Sequence, residues 1–180
     1  NEPIAGTHIT LFKRTPPVER EAFVRECRWV LQYWCEHSDT PVTFEDRCGV
    51  VPPERLEDAD PFAPFEPASA DEGASTGPEV LTSPMSLDAA LSVRHERDSI
   101  QCIVAFAEEP AFGFYNGGLT LLRTSNTDAL GDRWAARLGH LAFKVKSNAL
   151  EHTLTRDNVL QDRSWQRAME VLAEAADQLR

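Results

Sequence analysis

His140-Leu-Ala-Phe-Lys-Val-Lys146, followed closely by Ala149-Leu-Glu-His-Thr-Leu-Thr-Arg-Asp-Asn-Val-Leu-Gln-Asp162, is the stretch around which this 180-residue chain is best read. Its first part alternates, with Leu141, Phe143 and Val145 facing a core and Lys144 and Lys146 facing out, the period of a half-buried strand. Beyond Asp162, Trp165, Met169, Leu172, Ala176 and Leu179 recur at intervals of three and four. That spacing predicts a helix over 164–179 with one face packed on a sheet. The segment between strand and helix carries Arg156, set between Thr155 and Asp157. Arginine is permanently charged, and its planar fork of donors matches phosphate oxygens. A loop held between two rigid elements can aim such a group outward at a ligand. The competing reading pairs Arg156 with Asp157 or Asp162 to tie the loop down.

Working outward, residues 100–107 (Ile-Gln-Cys-Ile-Val-Ala-Phe-Ala) are apolar on both faces, which predicts a strand in the middle of a sheet covered on both sides by helices. Residues 127–138 read as a helix or two short turns, with Leu130, Trp134 and Leu138 on one side and Gly139 as the stop. Residues 84–91 predict a short helix capped by Ser83, with Leu87, Ala90 and Leu91 inward. Asn116-Gly117 is a strong hairpin signal that would fold residues 112–115 back onto 119–122.

Nearer the start, residues 6–12 alternate as a strand does, and Thr15-Pro16-Pro17 is a helix-start signal in which Thr15 caps the first turn. Phe23, Cys27, Val30, Leu31 and Trp34 then follow at helical spacing to about Cys35. Trp29 and Tyr33 widen that stripe, which reads first as core on two sides and second as a partner surface. His37-Ser38-Asp39 ends the helix and residues 41–44 read as a short strand. From Glu45 to about Pro84 the character changes: residues 45–72 hold nine acidic side chains against two arginines, and seven of the twelve prolines lie between Pro52 and Pro84. Such a stretch cannot bury enough apolar surface to offset its ordering entropy, so a long mobile loop is expected, with Phe62 and Phe65 as anchors.

The formal net charge of −11 repels phosphate backbones, which argues against nucleic-acid binding through a broad basic footprint. No apolar run reaches membrane-span length and no signal-peptide layout opens the chain, so a soluble, cytoplasmic protein is expected. Cys27, Cys35, Cys48 and Cys102 form no Cys-x-x-Cys pair and read as small buried or half-buried hydrophobes. A Cys35, His37, Cys48 ligand set fits no common zinc spacing, and no metal is expected. His152 beside Glu151 does not make an acid–base pair, because neighbours in an extended segment point opposite ways.

Leu154-Thr-Arg-Asp-Asn-Val159, preceded by Phe143-Lys-Val-Lys-Ser147, resembles the end of the middle domain of the HtpG-type ninety-kilodalton heat-shock chaperones, members of the GHKL ATPase superfamily. The likeness extends over residues 113–161 and, by order of elements, over residues 15–44. It implies an α/β (α+β) fold, a three-layer sandwich with a mixed sheet of the ribosomal-protein-like kind found in GHKL ATPases. The sheet would be built from residues 100–107, 113–122 and 141–146, with the first and last helices over its faces. On this resemblance residues 113–122 form one continuous strand, with Gly117-Gly118 as a bulge or close-packing point, and that reading is preferred to the hairpin. Residues 1–14 would be the tail of a preceding ATP-binding domain, its Gly6-Thr7 marking the boundary, and residues 15–180 the middle-domain segment. In keeping with that, the chain lacks an initiator Met and ends mid-pattern at Arg180, as a piece of a longer protein would.

The resemblance further implies that Arg156 is the catalytic-loop cation reaching the terminal phosphate of ATP, bound with Mg by the preceding domain, while Thr155 and Asp157 position it. The family carries a glutamine four residues after that arginine; here Leu160 stands there and Gln161 comes next. ATP hydrolysis would belong to the full-length homodimeric chaperone, the isolated segment being inactive and binding no cofactor by itself. Clients would be unfolded proteins, with Trp29, Tyr33, Phe112, Phe114 and Trp134 as candidate anchors. One alternative is a client- or partner-binding module without catalytic duty. Another is the transducer domain of a different GHKL ATPase, which would nominate Lys144 or Lys146.

Overall fold

The computed structural model describes residues 13–46 and 77–179. The expected strand over 6–12, the boundary at Gly6-Thr7, Cys48, the anchors Phe62 and Phe65, and most of the acidic, proline-rich loop lie outside those residues.

Helix α1 spans Pro17–Cys35. Proline suits its first position, where the N–H has no helical partner. The preceding residue, Pro16, has no side-chain cap to offer, and Thr15 does not supply one. Two short strands, β1 (Thr43–Phe44) and β2 (Glu79–Val80), pair antiparallel beside α1. The Arg28 guanidinium grips the Glu79 carboxylate in a forked pair, which ties that ribbon to the helix.

The body is a five-stranded mixed sheet. Its strands are β3 (Ser92–Arg97), β4 (Ile100–Phe106), β5 (Ala111–Asn116), β6 (Leu119–Thr124) and β7 (Leu141–Lys146), in the order β3-β4-β7-β5-β6. β7 is the central strand, antiparallel to β4 and parallel to β5. A 3-10 turn (Thr127–Leu130) and helix α2 (Gly131–Leu138) carry the chain from β6 to β7, and α3 (Arg163–Asp177) closes it.

One sheet face is a closed apolar layer. Ile100, Cys102, Val104, Phe112, Phe114, Leu141, Phe143 and Val145 meet Leu130, Trp134 and Leu138 from the α2 side and Trp165, Met169 and Leu172 from α3. Phe143 stacks on Phe112 with ring centroids 4.9 Å apart and meets Phe114 edge-on at 5.7 Å. Asp162 caps α3 by accepting from the Trp165 N–H at 2.9 Å.

Residues 112–123 are a hairpin and not one continuous strand. β5 folds onto β6 through Gly117-Gly118, both at positive φ (55° and 85°), as a tight two-residue turn requires. The local signal at Asn116-Gly117 therefore prevails, and the irregularity in pairing falls between Phe114 and Tyr115. Gly118 is also a close-packing point: a Cβ there would lie 1.7 Å from the His37 carbonyl oxygen. Gly118→Ala is expected to destabilise the protein by about 1–3 kcal/mol, through left-handed strain and a backbone clash, read as a lower urea midpoint.

The second face is covered differently from the expectation. Residues 84–91 are not helical; Met85 and Leu87 tuck under Ile103 and Tyr115 as an extended tether. At the C-terminal end of α1 the Thr120 hydroxyl donates to the Tyr33 carbonyl at 2.6 Å, and just beyond it the Asp39 N–H reaches the Gly117 carbonyl at 3.3 Å. No side chain of α1 whose burial is described is fully buried, so the widened stripe at Trp29 and Tyr33 is not a two-sided core. The coarse reading, a mixed α/β domain, stands, with a mixed sheet and three α-helices among the described residues.

Candidate functional site

The Arg156 loop is a small hairpin in its own right. The Thr153 N–H donates to the Asn158 carbonyl (2.9 Å) and the Leu160 N–H to the Glu151 carbonyl (2.8 Å), with a bridge between His152 and Val159. Val159 anchors its base in the core, at 1% exposure. At the tip, the Arg156 N–H donates to the Thr153 carbonyl (3.0 Å), and the residue sits at φ 57°. Left-handed backbone at a non-glycine residue is held only where the surroundings fix it.

Here the fixing group is Asp157. Its carboxylate accepts from the Thr155 hydroxyl at 2.5 Å and from the Thr153 hydroxyl at 2.8 Å. Those two donors hold the Asp157 carboxyl below the usual carboxylate range. Asp157 is thus occupied by hydroxyls, and Asp162 by the α3 cap. Neither carboxylate pairs with Arg156, whose exposed guanidinium has no partner among the described residues. The local ion-pair reading of Arg156 fails for that reason. Leu154, beside it, is wholly exposed, and Leu160 is 42% exposed. Gln161 turns away, its side chain donating to the Ala129 carbonyl at 3.0 Å. An open depression of about 370 Å³ lies at the foot of the loop, lined in part by Trp134, Gln161, Trp165 and Gln166.

The aromatic candidates separate into two groups. Phe112, Phe114 and Trp134 are 1–2% exposed and belong to the core, so they cannot anchor a client. β-alternation puts both phenylalanines on the α3 side, and the Trp134 N–H is bound to Gln166 at 3.2 Å. Trp29 is 61% exposed and Tyr33 half-buried; they stack at 5.5 Å, and Tyr33 meets Trp34 edge-on at 5.1 Å. Trp34, 45% exposed, completes an aromatic strip that the candidate set had left incomplete.

Lys144 and Lys146 point away from the apolar layer, as alternation requires, but they are not solvated. Each side chain is only 14% exposed. Lys146 pairs with Asp39 at 2.6 Å, and the Lys144 ammonium lies 2.8 Å from His37 Nε2 and 3.9 Å from Glu36. His37 itself is 2% exposed, with Nδ1 2.9 Å from the Ser83 carbonyl oxygen and its ring edge-on to Tyr115 at 4.8 Å. Burial pushes the His37 and Lys144 pKa values down and that of Tyr115 up. Nothing local in the sequence marked this cluster, since it is assembled from the end of α1, the 81–85 tether and three strands.

Cys102 is buried and its thiol is pushed up to about 12 by desolvation, which makes it inert at neutral pH. Among the described residues no group of His, Cys, Asp or Glu is arranged to hold a metal ion, and no helix is long and apolar enough to cross a membrane. No family model matches this chain, and neither a curated protein nor a solved structure matches it.

Proposed function

We propose that this chain is a middle-domain segment of an HtpG-type chaperone ATPase, with Arg156 delivered to the terminal phosphate of Mg-bound ATP held by a preceding GHKL domain. The observation that supports this reading is an unpaired guanidinium on a rigid, internally bonded loop tip with wholly exposed Leu154 beside it. A cation and an apolar side chain presented together to solvent suit docking onto another domain that supplies both an anion and a contact surface. Phosphoryl transfer needs charge compensation on the terminal phosphate, so an arginine arriving from outside the nucleotide domain gates hydrolysis by docking. The other contacts to the nucleotide belong to the preceding domain. Gln161 is committed to the Ala129 carbonyl, so the polar contact that the family glutamine supplies is absent from this loop.

The test joins this chain to an HtpG-type ATP-binding domain and compares ATP turnover with that of the domain alone. A rise of about a hundredfold or more is expected. Unchanged turnover with ATP bound overturns the assignment.

A second reading, client binding, is favoured by the Trp29, Tyr33, Trp34 strip, which lies outside the core. The double variant Trp29→Ala, Trp34→Ala is expected to cost less than about 1 kcal/mol of stability, as exposed positions do. It should nevertheless weaken suppression of aggregation of a chemically denatured protein. Equal suppression by variant and parent removes the strip from client binding.

A further inference from the structure

The cluster under the end of α1 has a directional logic. A carbonyl oxygen can only accept, so His37 must donate from Nδ1 to Ser83, which leaves Nε2 bare when the ring is neutral. The Lys144 ammonium, which can only donate, fills that lone pair at 2.8 Å. One imidazole therefore fastens the end of α1 to two other parts of the chain, the 81–85 tether and β7. The Ser83 N–H adds a bond to the Glu36 carbonyl at 2.7 Å.

We infer that His37 is an acid-released latch: protonation at Nε2 removes the acceptor for Lys144, sets two cations face to face, and frees the end of α1 and the 81–87 tether from the sheet.

The charges around the ring decide the sign. From β7 it faces Lys144, from β6 Arg123, from its own segment Glu36 at 3.6 Å, and from β5 the Tyr115 phenol, which burial keeps neutral. The tether contributes the Ser83 carbonyl and no titratable side chain over residues 81–85. Lys146 is taken up by Asp39. Glu36 is already shared between Arg123 at 3.5 Å and Lys144 at 3.9 Å, so a third cation finds one carboxylate for three positive groups. The folded-state pKa of His37 lies below its ordinary value of 6.5, chiefly through desolvation. The stabilisation is therefore fully present above that value and is lost as pH falls through the folded pKa. The Lys144 pKa is likewise shifted down, chiefly by desolvation.

The test is hydrogen exchange on the whole chain between about pH 8 and about pH 5, corrected for intrinsic rates, together with the imidazole nitrogen signals of His37. At the upper pH the ring should show Nδ1 protonated and Nε2 bare. Protection of the last two turns of α1 and of Leu81 to Met85 should then fall about tenfold or more on acidification, while α3 and β4 keep theirs. His37→Gln cannot take up the proton and should abolish the step. Lys144→Met removes the facing charge and should move the midpoint to higher pH. A proton on Nε2 at the upper pH, flat protection across the range, a step that persists in His37→Gln, or an unmoved midpoint in Lys144→Met overturns the proposal.

Discussion

On the proposed function, replacing Arg156 with alanine in the full-length protein is expected to leave ATP affinity nearly intact while turnover falls by about a thousandfold or more. The asymmetry follows from where the residue sits. Its side chain makes no hydrogen bond or ion pair among the described residues, and truncation leaves the Thr153, Thr155 and Asp157 bonds and the backbone ladder in place. On the proposed function, binding of the nucleotide would be the task of the preceding domain, and only stabilisation of charge developing on the terminal phosphate would be lost. Arg156→Lys keeps the charge but not the fork, and should recover only part of the rate. Arg156→Gly adds a second diagnostic, because φ 57° disfavours any residue with a Cβ. It should lose the same turnover yet stabilise the protein by about 1 kcal/mol in urea unfolding. Equal turnover in the Ala variant and the parent, measured at saturating ATP, would remove Arg156 from the mechanism.

Phe143→Ala is expected to destabilise the protein by about 3–5 kcal/mol. The ring is fully buried on the central strand, packed between Phe112 and Phe114 from β5, so no single neighbour can collapse into the space. Total stabilities of domains this size run to about 5–15 kcal/mol, so the loss takes a large fraction of the margin. Thermal unfolding should fall by roughly 10 °C or more. Phe106→Ala makes a fair control: it sits at the end of β4, is 52% exposed and should cost under about 1 kcal/mol. Comparable shifts in the two variants would contradict the layer assignment.

What could be read from the residues depended on whether burial followed from local spacing. Trp165, Met169 and Leu172 recur on one face of α3, and all are buried, because a helix with a single apolar stripe has one way to pack. Leu130, Trp134 and Leu138 were legible for the same reason. β3 was not. Its sequence, Ser-Val-Arg-His-Glu-Arg, has one aliphatic side chain, and the inward positions after Val93 are His95 and Arg97, which meet Glu174 of α3. An ion-paired edge leaves no hydrophobic period to find. Residues 84–91 have helical spacing, yet Ser83 is bonded to both Glu36 and His37, and that tether overrides propensity. For residues 112–123 the local turn signal decides the structure, and the continuous strand implied by the resemblance does not form.

The candidate site shows the same division. That Arg156 stands on a loop between β7 and α3 was visible from the pattern. That it is unpaired was not, since this depends on two threonine hydroxyls claiming Asp157 first. The aromatic residues went the other way: five were candidate anchors, and strand alternation in β5 puts Phe112 and Phe114 in the interior.

The strand order carries a consequence for how the chain assembles. β3–β4 and β5–β6 are antiparallel pairs joined by short connections, each able to form within microseconds from its own residues. Neither touches the other in the sheet until β7, synthesised after both, slides between them and zips one to each side. Barrier crossing should then await that insertion, so changes along Leu141–Lys146 should slow refolding while changes at either hairpin turn chiefly speed unfolding.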